Sequence, residues 1–475
     1  VAGHSGATAT PHGTTASHSA ISKPVPHGTT EHVAKNGSAI RTRSNGRVSD
    51  VHDAKRGMDI HHGLDGGRRV SMTRHDGSHL VAERGRRGYV ERGYHYHGHD
   101  FARRSYYYHG REYPRYYRGY YYGGVYMNVY APAYYYPGAF YGWAYNPWAA
   151  PIAYGWGWGG SPWFGFYGGY FTPWTAYPSA AFWLTDYLIA QNLEAAYAAH
   201  QEAAAAAAAG AAQQVALSEE VKKQIADEVK AQLALENQEA TQTAANQDVD
   251  PGSSGIARLM SDGHPHVFVV GSGLDLTDAN GQECAVSEGD ALALRTAPPA
   301  DAQTADLVVL ASKGGTECAS GGTVSVGMSD LQEMQNHLRE SIDTGLQELQ
   351  SKQGKGGLPA APPSAQAKPT PSPYAAVAPP PDPQDEKDIQ AQAQQADAAE
   401  SEVAQAASAD SGSPIAATTT EPAKAPVTVA LGQTTDQVKA ILGNPMKTAD
   451  LGTKTIYYYD GMKVVFKAGK VSDVE

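Results

Sequence analysis

Histidine is the residue type whose spacing first suggests chemistry. Fourteen of the 18 histidines precede residue 110, and His95, His97 and His99 alternate through Tyr96 and Gly98. Imidazoles at alternating positions are ligands suited to zinc, copper or nickel. Neither a cysteine nor a fixed carboxylate spacing accompanies them, so the set lacks the companions of a specific metal site. His264-Pro265-His266 stands at the start of a strand-like run and reads as a turn.

The two cysteines, Cys284 and Cys318, occupy matching settings, Gly-Gln-Glu-Cys-Ala and Gly-Thr-Glu-Cys-Ala. Strand-like segments surround both, which makes them a disulfide pair, with two reduced, buried thiols as the alternative. Closing such a loop stabilises by roughly 3–4 kcal/mol in the chain-entropy model and fits an oxidising compartment. No phosphate-binding loop, His-Glu-x-x-His, Gly-x-Ser-x-Gly or paired-cysteine zinc pattern occurs. Glu288 and Asp290 fall in a turn and read as structural. The expectation is therefore no enzyme and no cofactor.

Aromatic side chains are the third candidate. Tyr, Trp and Phe fill over a third of residues 89–187, and all seven tryptophans lie there. The contact candidates are Tyr106, Tyr107, Tyr120, Tyr121, Tyr135, Trp143, Trp148, Trp156, Trp158, Trp163 and Trp174. Such rings can stack on sugars, as in a glycan or peptidoglycan binder. Interleaved arginines, as in Arg103-Arg104-Ser105-Tyr106 and Arg115-Tyr116-Tyr117-Arg118, suit single-stranded nucleic acid, but a secreted setting argues against a specific nucleic-acid partner. The favoured use is packing against the chain's own domains or other copies, because large apolar surface does not stay bare in water.

The elements that would hold these residues follow from composition. Charge is segregated: residues 1–130 carry 19 Lys+Arg against 10 Asp+Glu, and the remaining 345 carry 18 against 39. A basic head of this kind attracts anionic polymers or lipid, or meets the acidic part of another copy. Residues 1–45 are Gly/Ser/Thr/His-rich, with Pro-His-Gly-Thr-Thr at 11–15 and again at 26–30, and bury too little to order. Residues 46–100 read as a β-meander, with hairpin signals at Asp65-Gly66 and Asp76-Gly77. In 101–183, prolines at 132, 137, 147, 151, 162, 173 and 178 predict an extended, turn-rich wrap without helices or long strands.

Residues 184–250 read as two helices, the second capped by Ser218 with Glu219 and Glu220 in its first turn. Residues 256–350 predict a small barrel or sandwich of about six strands, closed by a helix with a Ser329-x-x-Gln332 capping box. Residues 351–426 are a Pro/Ala/Gln-rich acidic linker with a transient helix near 386–407. Residues 427–475 form a separate α+β module. The fold class is multi-segment α+β: small β-rich domains joined by helices, an aromatic Gly/Pro-rich wrap and disordered linkers.

That last module reads Leu431-Gly432-Gln433-Thr434-Thr435-Asp436-Gln437-Val438, then Leu442-Gly443-Asn444-Pro445, then Thr455 to Tyr459, Lys463 to Phe466 and Gly469 to Val471. A helix stopped by Gly443 and Pro445, a strand, a turn at Asp460-Gly461 and two more strands are predicted. The order of motifs resembles the outer-membrane lipoprotein assembly family (SmpA/OmlA, BamE-like), over about a tenth of the chain. That resemblance implies periplasmic or outer-membrane placement and a binding role. The family's lipid-carrying cysteine has no counterpart here.

No run of eighteen aliphatic residues predicts a membrane span. The chain opens at Val1 without an initiator methionine or apolar leader, which fits a processed export signal or a fragment. Together these readings predict an exported, non-enzymatic structural or assembly protein of the bacterial envelope or surface. It would self-associate through the aromatic segment or bind other envelope proteins. A glycan- or peptidoglycan-binding protein and a His-rich metal-binding protein are the alternatives.

Overall fold

Four copies of one turn organise the N-terminal half. In the computed structural model, Gly37, Gly46, Gly66 and Gly77 all take positive φ, 81° to 88°. Ahead of each, Asn36, Asn45, Asp65 or Asp76 accepts a side-chain hydrogen bond from the backbone N–H two residues on, at 2.8–3.0 Å. Asn and Asp favour such turns, and glycine enters the left-handed region without a Cβ penalty. The structure describes residues 25–83, 88–108, 111–203, 214–366 and 368–411. Near the C-terminus it describes 434–435, 438–439, 445, 447–450, 454–459, 462–467 and 469–474.

These turns join a ten-stranded antiparallel sheet in simple chain order. Its strands are β1 (Thr30–Val33), β2 (Ala39–Thr42), β3 (Val48–Asp53), β4 (Met58–His62), β5 (Arg68–Thr73), β6 (His79–Glu83), β7 (Tyr89–Tyr96), β8 (His99–Tyr108), β9 (Arg111–Tyr122) and β10 (Val125–Ala131). The sheet differs from expectation at both ends. It begins inside the segment read as a disordered head, because the Asn36 and Asn45 turns act as the two Asp-Gly turns do. It also runs well into the expected wrap, with strands of 10 and 12 residues. The prolines that argued against strands begin at Pro132, one residue beyond β10.

After β11 (Tyr134–Tyr135), two short helices break the expectation of a helix-free wrap: α1 (Gly138–Tyr145) and α2 (Pro162–Tyr167). Pro162 stands at the first position of α2, where a missing N–H costs nothing, and Pro137 is the N-cap of α1. Two long helices follow, α3 (Ala180–Ala203) and α4 (Glu219–Ala244). Ser218 caps α4 by accepting from Val221 N at 3.2 Å.

Next come α5 (Ile256–Ser261) and a six-stranded antiparallel sheet: β12 (His266–Val269), β13 (Leu274–Asp278), β14 (Glu283–Val286), β15 (Ala291–Leu294), β16 (Thr304–Ala311) and β17 (Thr323–Gly327). The spatial order is β12-β15-β16-β17-β13-β14. The helix α6 (Met328–Lys352) buries Leu331, Met334, Leu338 and Ile342. Its N-cap is Gly327 without a side-chain bond, so the predicted capping box does not form. Gln332 instead accepts from Ile256 N at 2.8 Å.

The expected linker is ordered over much of its length. It holds β18 (Thr370–Pro371) against β11, then α7 (Pro373–Ala376) and the 27-residue α8 (Asp385–Ser411). The stripe of α8 is Ala396, Ala399, Val403, Ala404 and Ala407, too small to announce a core helix. The sheet supplies what it lacks, and these residues pack on Ile40, Val48, Val51, Met58, Ile60 and Val70.

The chain divides into two compact units, 1–417 and 418–475. In the second, β19 (Lys447–Asp450), β20 (Lys454–Tyr459), β21 (Met462–Lys467) and β22 (Lys470–Val474) form an antiparallel sheet in chain order, one strand more than expected. Val438, Tyr457, Val464, Phe466 and Val471 make its core. Ile441, Leu442, Gly443 and the Asp460-Gly461 turn lie outside the described residues. The fold is mixed α+β, and among the described residues no helix is long and apolar enough to cross a membrane.

Candidate functional site

The aromatic segment folds onto itself and onto α3, α4 and α6. Trp156 stacks on Trp158 (4.3 Å, 14° between planes) and on Trp183 (4.7 Å, 24°), and Trp183 stacks in turn on Tyr187. Trp163 packs edge-on to Trp158, while Trp143 bridges Phe140 and Trp148. Tyr135 and Trp163 are buried, and Trp183 is fully so. Tyr106, Tyr107, Tyr120, Trp143, Trp148, Trp156, Trp158 and Trp174 are half-buried. Of the eleven candidates only Tyr121 is exposed, at 73%. It meets Tyr126 edge-on at 5.2 Å near the β9–β10 turn.

A buried ion cluster is threaded through these rings. Trp156 Nε1 donates to Tyr177 (2.6 Å), whose hydroxyl donates to Asp186 Oδ2 (2.7 Å), which also accepts from Trp174 N (2.7 Å). Lys222 is 3.8 Å from Asp186, donates to Thr172 O, and lies 4.2 Å over the Trp174 ring. Burial pushes the Asp186 carboxyl up to about 6, against the pull of Lys222.

A second polar cluster joins α4, α6 and the sheet. Arg339, wholly buried, donates to Glu239 at 2.9 Å, and Glu239 also accepts from Tyr135 at 3.1 Å. Arg118 donates to the Tyr135 hydroxyl (3.2 Å), and Tyr130 donates to Asp343 (2.7 Å). Two cations thus face three carboxyls, and protonation divides the load. Burial, then the nearby Asp343, drives Glu236 well above its usual range. Burial would raise Glu239 too, but Arg339 and Arg118 overcome it and hold that carboxyl low. Burial takes Asp343 up to about 6. No local signal announces this cluster: Glu236 and Glu239 stand three apart on α4 and Arg339 and Asp343 four apart on α6, and only the packing of the two helices brings them together.

The three predicted histidines part company. His95 pairs across the β7–β8 hairpin with Asp100 at 2.7 Å, whereas His97 and His99 turn to Asp248, at 3.8 and 3.5 Å. These last two contacts reach different carboxylate oxygens. Among the described residues no group of three or more His, Cys, Asp or Glu is placed to hold a metal ion. His97, His99 and Asp248 line a cleft shared with Arg118, Asn246 and Tyr374, with a volume of about 40 Å³. Such a space suits a few waters, not a sugar ring. Among the described residues, the non-glycine residues with positive φ are His97 (47°) and Asn246 (53°), and both line this cleft.

Cys284, on β14, and Cys318, before β17, are joined by a disulfide with Cα atoms 4.9 Å apart. Nearby, Asp290 pairs with Lys313, and burial lifts its carboxyl to about 7 despite that cation. The Glu288–Asp290 turn thus carries a buried ion pair within the β-domain.

The broadest pattern is electrostatic. On one face of the sheet, Glu31, Arg41, Asp50, His61, Arg69 and Glu83 stand directly opposite one another across β1 to β6. His61 bonds Asp50 (2.8 Å) and reaches Asp275 of β13 (3.3 Å). Arg43 holds Asp275 and Glu283 at 2.7 and 2.6 Å. On the other face α8 supplies the acids. Arg56 meets Glu402 (2.7 Å), Arg68 meets Asp397 and Glu400 (both 2.6 Å), and Arg74 meets Asp385 and Asp388 (2.9 and 2.7 Å). Arg92 also meets Asp385 (2.5 Å). The basic head is thereby matched by acids from the same chain.

No protein-family model, no curated protein and no solved structure matches this chain.

Proposed function

We propose that this is a non-enzymatic, self-associating structural protein of the bacterial envelope or cell surface. The supporting observation is where its reactive-looking groups go. Histidines, arginines and carboxylates are paired with one another between segments, and aromatic rings stack on aromatic rings. Groups so engaged stiffen a scaffold. The disulfide favours an exported location. The likeness of residues 427–475 to the lipoprotein assembly family adds a periplasmic or outer-membrane setting and envelope proteins as partners.

Light scattering of the full chain across a concentration series tests self-association. A mass that grows with concentration is expected; a single-chain mass throughout would overturn it. A glycan-binding role is the second reading, favoured by one place: the exposed Tyr121 and Tyr126, beside the Asp100–His95 pair of the neighbouring hairpin. Peptidoglycan pull-down that persists in a Tyr121→Ala/Tyr126→Ala protein would remove it.

A further inference from the structure

We propose that the sheet face covered by α8 is an exchange site, which accepts the α8 of a second copy of this chain in place of its own. The inference rests on the self-association above and gives it a location. The aromatic segment offers few free rings, whereas the α8 contact has the features of a detachable one.

The helix contributes mainly alanines and Val403 to the apolar contact, with Ile389 against Gly88 near its start, so it carries little apolar area with it when it departs. The sheet side is larger and better formed, with Ile40, Val48, Val51, Met58, Ile60 and Val70 rimmed by arginines. Specificity comes from that rim, where Arg56, Arg68 and Arg74 meet Glu402, Asp397 and Asp388. Glu402, Asp397 and Asp388 are 50%, 69% and 42% exposed, so their pairs add little stability but fix partner and register, while the buried Asp385 on Arg74 and Arg92 and Glu400 on Arg68 anchor the seated helix. The chain enters α8 through residues 377–384, which include Pro379, Pro380, Pro381 and Pro383. Eight proline-rich residues span about 25 Å as an extended spacer. Val377 is 56% exposed, Arg103 donates to the Pro379 carbonyl and the Tyr107 hydroxyl donates to the Asp382 carbonyl. This semi-rigid connection lets the helix move as a unit to a second copy, whose own helix re-covers the strands that depend on it. Reciprocal exchange then rebuilds every contact in a closed two-fold pair. The tether favours the chain's own helix at low concentration, and exchange gains as concentration rises.

Charge reversal separates the two states. One protein carries Arg56→Glu, Arg68→Glu and Arg74→Glu; another carries Asp388→Arg, Asp397→Arg and Glu402→Arg. In each alone the helix meets like charge on its own sheet and on any copy. Mixed, the acidic sheet of the first fits the basic helix of the second, and the remaining pair is the natural one. Light scattering of the equimolar mixture at low salt should show twice the single-chain mass, lost at about 1 M salt, where the screening length is about 3 Å. A mixture that keeps the masses of its components would overturn the proposal, provided all six substitutions in one chain fold as wild type. The single-pair version, Arg56→Glu mixed with Glu402→Arg, changes a half-buried turn arginine and an exposed glutamate outside the apolar contact and should give the same pairing in smaller yield. If that mixture also stays unpaired, the exchange site is wrong. Wild-type mass is read separately: association of the wild type without pairing in the mixture leaves the structural role standing and removes only this site.

Discussion

Replacing Arg339 by methionine removes the cation from the most enclosed charge cluster in the fold. Arg339 is 0% exposed and its partner Glu239 1%. At 2.9 Å and an effective dielectric of about 20, the lost attraction is about 6 kcal/mol. Part is returned because the guanidinium no longer has to be desolvated, so the net cost should fall at about 3–5 kcal/mol. The pH dependence identifies the cause. In the wild type Glu239 is held low, so its contribution is present above the unfolded carboxylate range and fades as pH falls through the folded value. In Arg339→Met the carboxyl is no longer held low and moves above its unfolded value. The loss is then largest at pH 8 and shrinks toward pH 5 as Glu239 takes up a proton. Urea unfolding at several pH values measures both, and adding Glu239→Gln should restore part of the stability. A loss under about 1 kcal/mol, or one that ignores pH, would refute the reasoning, since a merely mispacked side chain shows no such slope.

Further outcomes follow from other contacts. Two carboxylates, Asp275 and Asp50, overcome burial to raise His61 to about 9, and Asp50 is lowered to about 2 by His61 after the opposing effect of burial. The His61 contribution is full below about 6.5 and lost as pH rises through about 9. His61→Gln should abolish that alkaline loss, read as the thermal midpoint between pH 7 and 10. The Cys284–Cys318 bridge spans 34 residues, worth about 4 kcal/mol in the chain-entropy model; a double serine protein should lose that much in urea. Gly345 lets α6 approach α3, for a Cβ there would come within 2.6 Å of Leu184 Cδ2. Gly345→Ala should cost about 1 kcal/mol net, because overpacking outweighs the gain in helix propensity, and a raised melting point would contradict it.

How much could be read in advance depended on whether the signal was local. The Asp65-Gly66 and Asp76-Gly77 turns, the Ser218 cap and the α6 stripe carry their cause within a few residues, and each gave the right element. The start of the sheet was missed because strands β1 and β2 are thinly apolar by themselves and depend on α8, more than 350 residues away. The helix near 386–407 was legible only as a transient one, because the alanine stripe of α8 becomes a core face only against Ile40, Val51 and Ile60. Clustered tyrosines and prolines read as one extended stretch, yet up to Ala131 the tyrosines lie on long strands with Pro114 alone among them, and the frequent prolines from Pro132 on accompany short helices. His97 and His99 looked like partners of His95 by spacing. A turn at His97 and the distant Asp248 assign them elsewhere, and spacing along a chain cannot show which loop faces it.

The central claim is that the aromatic segment is this protein's own interior. Acrylamide quenching of tryptophan fluorescence, followed during serial dilution, tests it directly. All seven tryptophans are buried or half-buried, so blue-shifted emission, weak quenching and no change on dilution are predicted. Red-shifted emission quenched like free tryptophan, or shielding that vanishes as the protein is diluted, would contradict the account.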